Sequence, residues 1–120
     1  MVDDSLQLRR SIMYALQRLS SIECVEAGDG AEAFKQFQAS SFDIVLTDVN
    51  MPVLDGLKLI ALIRQSGNTT VPIVVITTES RDEDRERAMK LGANAYLIKP
   101  VKAPEVVSTL QELLPQTRHL

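Results

Sequence analysis

Cysteine is almost missing from this chain: Cys24 is the single one in 120 residues. A lone cysteine has no partner within the chain, so this is not a disulfide-stapled secreted domain, and the usage fits a reducing compartment. Cys24 itself reads as a packed or half-packed strand residue, not a nucleophile. Tryptophan is absent, with two tyrosines and three phenylalanines, and the formal net charge is −3. Basic patches interleaved with aromatics are therefore missing, which argues against direct nucleic-acid binding. No apolar run approaches the ~18–20 residues of a membrane span. The start, Met1-Val2-Asp3-Asp4, is acidic rather than basic-then-apolar, unlike a signal peptide. The expectation is a cytoplasmic protein without membrane insertion. No glycine-rich phosphate loop of the form GxxxxGK[ST] or GxGxxG occurs, which counts against a nucleotide- or flavin-binding domain. The one histidine, His119, stands near the end with no visible partner.

What is present suffices for a core. Hydrophobic residues make up 45% and charged residues 24%, ordinary for one globular domain of this length. The expected domain runs over 1–115, with 116–120 as a tail. Residues 42–56 organise the rest. Ile44-Val45-Leu46 is short enough for a strand and unbroken enough to be buried on both faces. It stops at an acid, Asp48, and a loop marked by Pro52 and Asp55-Gly56 follows. Open α/β sheets bind ligands in the crevice outside the carboxyl ends of their strands, and Asp48 falls there.

Helices and strands alternate around this stretch. Ser5 is an N-cap candidate ahead of a first helix carrying Leu8, Ile12, Leu16 and Leu19. A short strand over 22–27 and a loop at Gly28-Asp29-Gly30 lead to a second helix with Ala33, Phe34 and Phe37 on its apolar side. Leu59, Ile60 and Ile63 mark a third helix. Residues 71–76, rich in β-branched side chains, form the fourth expected strand, ending at Thr77-Thr78-Glu79. The helix over 81–91 is highly charged, with few apolar positions beyond Ala88 and Leu91, so it is solvated or a contact surface. Ala95-Tyr96-Leu97-Ile98 is a fifth strand ending in Lys99-Pro100. A fifth helix carries Val106, Val107, Leu110, Leu113 and Leu114.

Such alternation implies βαβ units and a parallel sheet. Right-handed crossovers put all carboxyl ends on one edge. Asp3-Asp4, Asp48, Thr77-Thr78 and Lys99-Pro100 then converge. Taken singly, Asp3 or Asp4 could serve a helix dipole, and Thr77 and Lys99 are ordinary surface or strand-end residues. Together they form a chemistry. Clustered carboxylates need a cation, and hard oxygen donors suit Mg²⁺. A carboxylate beside that ion is a nucleophile toward phosphorus, with Lys99 and the Thr77 hydroxyl supplying positive charge and donors.

Over essentially its full length the chain resembles the receiver domain of two-component response regulators. The matching residues are Asp3-Asp4, Leu46-Thr47-Asp48-Val49-Asn50-Met51-Pro52, Asp55-Gly56, Thr77, Gly92-Ala93, Tyr96 and Lys99-Pro100. The resemblance implies a flavodoxin-like, doubly wound five-stranded parallel sheet of order 2-1-3-4-5. It implies that Asp48 is a phosphoacceptor, taking its phosphoryl group from a histidine kinase or phosphotransfer protein. Mg²⁺ would be held by Asp4 and Asp48, by Asp3 directly or through water, and by the Asn50 main-chain carbonyl. Lys99 would pair with the phosphoryl group, and the Lys99-Pro100 bond would be cis. Thr77 and Tyr96 would be switch residues that bias a partner face built from the fourth helix, fifth strand and fifth helix. Asn50 and Glu79 would tune dephosphorylation. Such a protein is not a turnover enzyme on external substrates.

Asn50 and Glu79 resemble the stand-alone chemotaxis regulators, and Asn94-Ala95 stands where receivers driving winged-helix output domains often carry an acidic pair. A single-domain regulator acting by protein contact is the favoured reading. A receiver excised from a multidomain regulator is the alternative, and an aspartate-nucleophile phosphatase lies further off, since Asn50 stands where such enzymes need a second acid. One departure is evident: only Met1-Val2 precede the acidic pair, where the family has a strand of about five residues. A truncated central strand loses ladder bonds and burial, so reduced stability or a strand-exchanged oligomer is expected.

Overall fold

A computed structural model of the chain describes residues 10, 13, 14, 29–40, 44–48 and 55–113. Its elements are α1 (Gly30–Ala39), β1 (Val45–Thr47), α2 (Gly56–Gln65), β2 (Ile73–Thr77), α3 (Asp82–Leu91), β3 (Ala95–Ile98) and α4 (Ala103–Leu113). The strands pair in the order β1-β2-β3. Both pairings are parallel, with Val45 opposite Ile73 and Val75 opposite Tyr96. These are the last three of the five expected strands, adjacent as expected. The strands expected at 1–2 and 22–27 lie outside the described residues, and so do the shortened first strand and the strand exchange inferred from it.

Alternation along β2 divides the core. Ile73 and Val75 face one side, where Leu59, Ile60 and Ile63 of α2 meet Ala33, Val45, Ala88 and Tyr96. Val74 and Ile76 face the other, against Leu46 and the α4 residues Val106 and Leu110. All five residues of β2 are buried, because a strand sandwiched between helix layers has no solvent face. Full burial of one such aliphatic side chain contributes about 1.5–3 kcal/mol. The expected strand 71–76 begins later than its apolar run. Pro72 has no N–H to donate, and the Asn68 side chain takes the N–H groups of Thr70 and Val71 at 3.2 and 2.9 Å, holding them in the turn. Pro72 still contributes its carbonyl, which accepts from Val45 N at 2.9 Å.

The helix starts are set by side chains. Asp29 accepts from Glu32 N at 2.8 Å and Asp55 from Lys58 N at 2.9 Å; each cap contributes about 1 kcal/mol. Helix α3 begins differently. Its N-cap, Arg81, makes no side-chain cap bond, and Asp82, Glu83 and Asp84 crowd the first turn, where the helix dipole favours acids. Ala88 is its one buried residue, which matches the sparse apolar pattern of the sequence.

Candidate functional site

Three strand ends meet at the carboxyl edge of the sheet. Asp48 follows β1 and is 6% exposed, and Thr77, the last residue of β2, is fully buried. Lys99 follows β3, and its Nζ lies 2.9 Å from Asp48 Oδ2. A carboxylate this buried requires a partner, since desolvation otherwise outweighs what the protein returns. Lys99 answers it while part of its side chain stays in solvent, as the long lysine stem allows. The backbone joins the same ends: Lys99 N donates to Thr77 O at 2.7 Å. The Lys99-Pro100 bond is cis, as the resemblance implies.

Beside this pair runs a second linkage. The Thr77 hydroxyl oxygen accepts from Glu79 N at 3.2 Å, and the Tyr96 hydroxyl donates to Glu79 O at 2.8 Å. The main chain of Glu79 is thereby held between the two expected switch side chains. Burial raises the Tyr96 phenol above its ordinary pKa; the negative charges of Asp84, Glu79 and Asp48 raise it further, against Arg85. Taken without the family, Tyr96 reads as a half-buried strand tyrosine, but it is 8% exposed, because it packs into the α2-side core cluster.

Of the expected site residues, Asp48, Thr77, Glu79, Tyr96 and Lys99 are thus brought together. Asp3, Asp4 and Asn50 lie outside the described residues. Among the described residues no group of three or more His, Cys, Asp or Glu side chains is placed to hold a metal; of the expected magnesium ligands they contain Asp48 alone. Its carboxylate is a hard oxygen donor, and Asp3, Asp4 and the Asn50 carbonyl are oxygen donors too, so the donor chemistry fits Mg²⁺.

Two features went unread in the sequence. The Thr47 hydroxyl, buried in β1, donates to the Asp48 carbonyl at 2.9 Å; its signal was a hydroxyl standing between an apolar run and the acid. The role of Glu79 as a main-chain bridge had no local signal, because its partner Tyr96 is 17 residues away.

A parallel α/β sheet with helices on both faces, and an aspartate, a lysine and a buried threonine meeting at its carboxyl edge, defines a receiver-type flavodoxin-like domain. The family model for the response regulator receiver domain matches residues 1–111, and the chain belongs to that family, whose members act in two-component signalling. It is 37% identical over 113 residues to the transcriptional regulatory protein PrrA of Mycobacterium tuberculosis, an alignment covering 94% of this chain and 48% of PrrA. The chain therefore spans about half the length of the curated relatives it matches. Among solved structures it is similar to the chemotaxis response regulator CheY4 of Vibrio cholerae, with a TM-score of 0.87, 36% identity and 94% of each chain covered. The receiver domain of the Francisella response regulator 1452 gives a TM-score of 0.89 at 25% identity, covering 98% of this chain and 95% of that one. Among the described residues no helix is long and apolar enough to cross a membrane.

Proposed function

We propose that Asp48 accepts a phosphoryl group from the phosphohistidine of a histidine kinase or phosphotransfer protein, and that the change alters a partner-binding surface. A carboxylate oxygen of Asp48 attacks phosphorus, an O–P bond forms, and the P–N bond to the donor imidazole breaks. The imidazole leaves with the bonding pair and takes up a proton. Lys99 carries the reading: its ammonium, 2.9 Å from the carboxylate, is placed to follow the charge onto the phosphoryl oxygens. Mg²⁺, when bound, would neutralise phosphoryl charge, and Asp3, Asp4, Asp48 and the Asn50 carbonyl would be the residues that hold it. The stoichiometry is one phosphoryl group per chain, so the protein is a switch and not a turnover enzyme. Asn50 and Glu79 would tune the removal of the group by water and so its lifetime.

The Thr77 hydroxyl turns toward the new anion, and Tyr96 follows the space this leaves. The output face comprises α3, β3 and α4, where Met89 and Ile98 are exposed. The receiver occupies 1–115 with 116–120 as a tail, and the full sheet has the order 2-1-3-4-5. The first reading is a single-domain regulator acting by protein contact, on the 36% identity to the chemotaxis response regulator CheY4. A second reading, a receiver controlling an attached output domain, is favoured by the 48% coverage of PrrA. Sequencing the coding frame on both sides separates the two.

The test is incubation with a small phosphodonor and Mg²⁺. One acid-stable, base-labile phosphoryl group per chain is expected, and none in Asp48→Asn. Full labelling of that variant overturns the assignment. Steady turnover of a phosphate ester would instead mark a phosphatase.

A further inference from the structure

Helix α3 is fastened unevenly. At its carboxyl end, Arg64 of α2 reaches across: Nε and Nη2 donate to Gly92 O at 3.2 and 2.7 Å. Nη2 also donates to Asn94 Oδ1 at 3.1 Å. Asn94 in turn is locked to the start of β2, its Oδ1 accepting from Ile73 N at 2.9 Å and its N donating to Ile73 O at 2.7 Å. The stretch Gly92-Ala93-Asn94 is thus tied to a helix and to a strand at once. A planar guanidinium makes such a fork where an ammonium cannot. Gly92 is part of the device. Its φ of 123° lies in the left-handed region, and a Cβ there would come within 2.7 Å of Arg64 Nε and 2.8 Å of its Cγ. Glycine lets the arginine lie flat against the helix end.

The amino end is built otherwise. Arg81 supplies no cap bond, and its ion pair, to Asp84 at 3.1 Å, is internal to this end of the helix, with the arginine side 73% and the aspartate side 15% exposed. The one buried residue of the helix, Ala88, lies in its carboxyl half. Only Ser80 and Arg81 separate the amino end from Glu79, whose main chain is bonded to Thr77 and Tyr96. The end nearest the phosphoacceptor site is therefore the end with the least burial.

We propose that α3 is a lever hinged by Arg64 at Gly92 and Asn94, so that loading of Asp48 displaces its amino end through Glu79 while its carboxyl end stays in place. This rests on the phosphoacceptor reading above. The force enters where Thr77 and Tyr96 grip Glu79, and the guanidinium fork converts it into rotation about one end instead of translation of the whole helix. Displacement then grows along the helix toward Asp82, and a partner reading the first turns senses most of it. Arg64 acts through the helix it holds and is a positioning residue, not part of the phosphoryl chemistry.

Amide hydrogen exchange on the whole chain tests this in two arms. Without any phosphodonor, residues 88–94 are expected to be at least about tenfold better protected than 82–85. Arg64→Ala should lower protection at 88–94 by about tenfold or more and leave 82–85 within about threefold. Equal protection along the helix, or unchanged protection at 88–94 in the variant, overturns the hinge. Should Arg64→Ala not fold, Arg64→Lys keeps the charge and loses the fork; protection at 88–94 equal to wild type again overturns it. In the second arm beryllofluoride and Mg²⁺ are added. Changes confined to 79–85 in the wild type, spreading over 88–94 in the Arg64 variant, support the lever. Uniform change along 82–94 in the wild type overturns the lever and leaves the phosphoacceptor reading intact. No response that depends on Asp48 overturns that reading and the loading half of the lever with it.

Discussion

Lys99 Nζ and Asp48 Oδ2 lie 2.9 Å apart, although 51 residues separate the two side chains in sequence. The contact exists because β1 and β3 both border β2 in one parallel sheet, and each residue stands one place beyond its strand. Removing the lysine leaves a buried carboxylate without this partner. Lys99→Ala should therefore cost about 1–3 kcal/mol in urea denaturation. It should also slow phosphoryl uptake from a small donor by about 100-fold. Uptake at the wild-type rate would show that the ammonium serves only the fold.

Thr77 is fully buried, and its hydroxyl oxygen accepts from Glu79 N. Valine has nearly the same shape without the oxygen. Thr77→Val should lose about 0.5–1.5 kcal/mol, the net worth of one hydrogen bond, and Thr77→Ser should retain most of it. The phosphorylated valine variant should also fail to pass the change on. The near-unity ratio of Tyr96 environments with and without beryllofluoride, read by NMR of the ring protons, is the check. A Tyr96 response as large as wild type in Thr77→Val would remove the hydroxyl from the switch.

Tyr96 supplies the pH prediction. Its phenol is raised above the ordinary value in the folded chain, chiefly by burial. A raised acid favours folding while it is protonated. Its contribution is complete below the unfolded value of about 10 and is lost as the pH climbs from there through the folded value. Stability should fall on that alkaline limb in the wild type. Tyr96→Phe cannot ionise and should lack this part of the fall. It should also be less stable by about 1 kcal/mol at neutral pH, because the bond to Glu79 O is gone. Parallel pH profiles for the two proteins, by urea midpoints, would refute the assignment.

Much of the site was legible because it is written as local signals. An apolar run ending in Asp48 marks a buried strand and its exit. The β-branched stretch before Thr77 and the run before Lys99 do the same, and parallel topology then requires the three ends to share an edge. The charged pattern of 81–91 also announced a helix with little to bury. The strand boundary at Ile73 was less legible, since Val71 is apolar and buried but its N–H is taken by Asn68.

By itself, then, the sequence determined the family, the alternation of elements and the identities of Asp48, Thr77, Tyr96 and Lys99, because periodicity and strand-end placement are properties of short windows. Only the tertiary structure decided the pairings between windows. These include the bridge from Tyr96 to the Glu79 main chain, the ion pair of Lys99 with Asp48 and the grip of Arg64 on Gly92 and Asn94. Main-chain groups are chemically the same at every residue, so no residue type advertises which carbonyl a distant hydroxyl or guanidinium will reach. That choice is made by packing, once the sheet has set the distances.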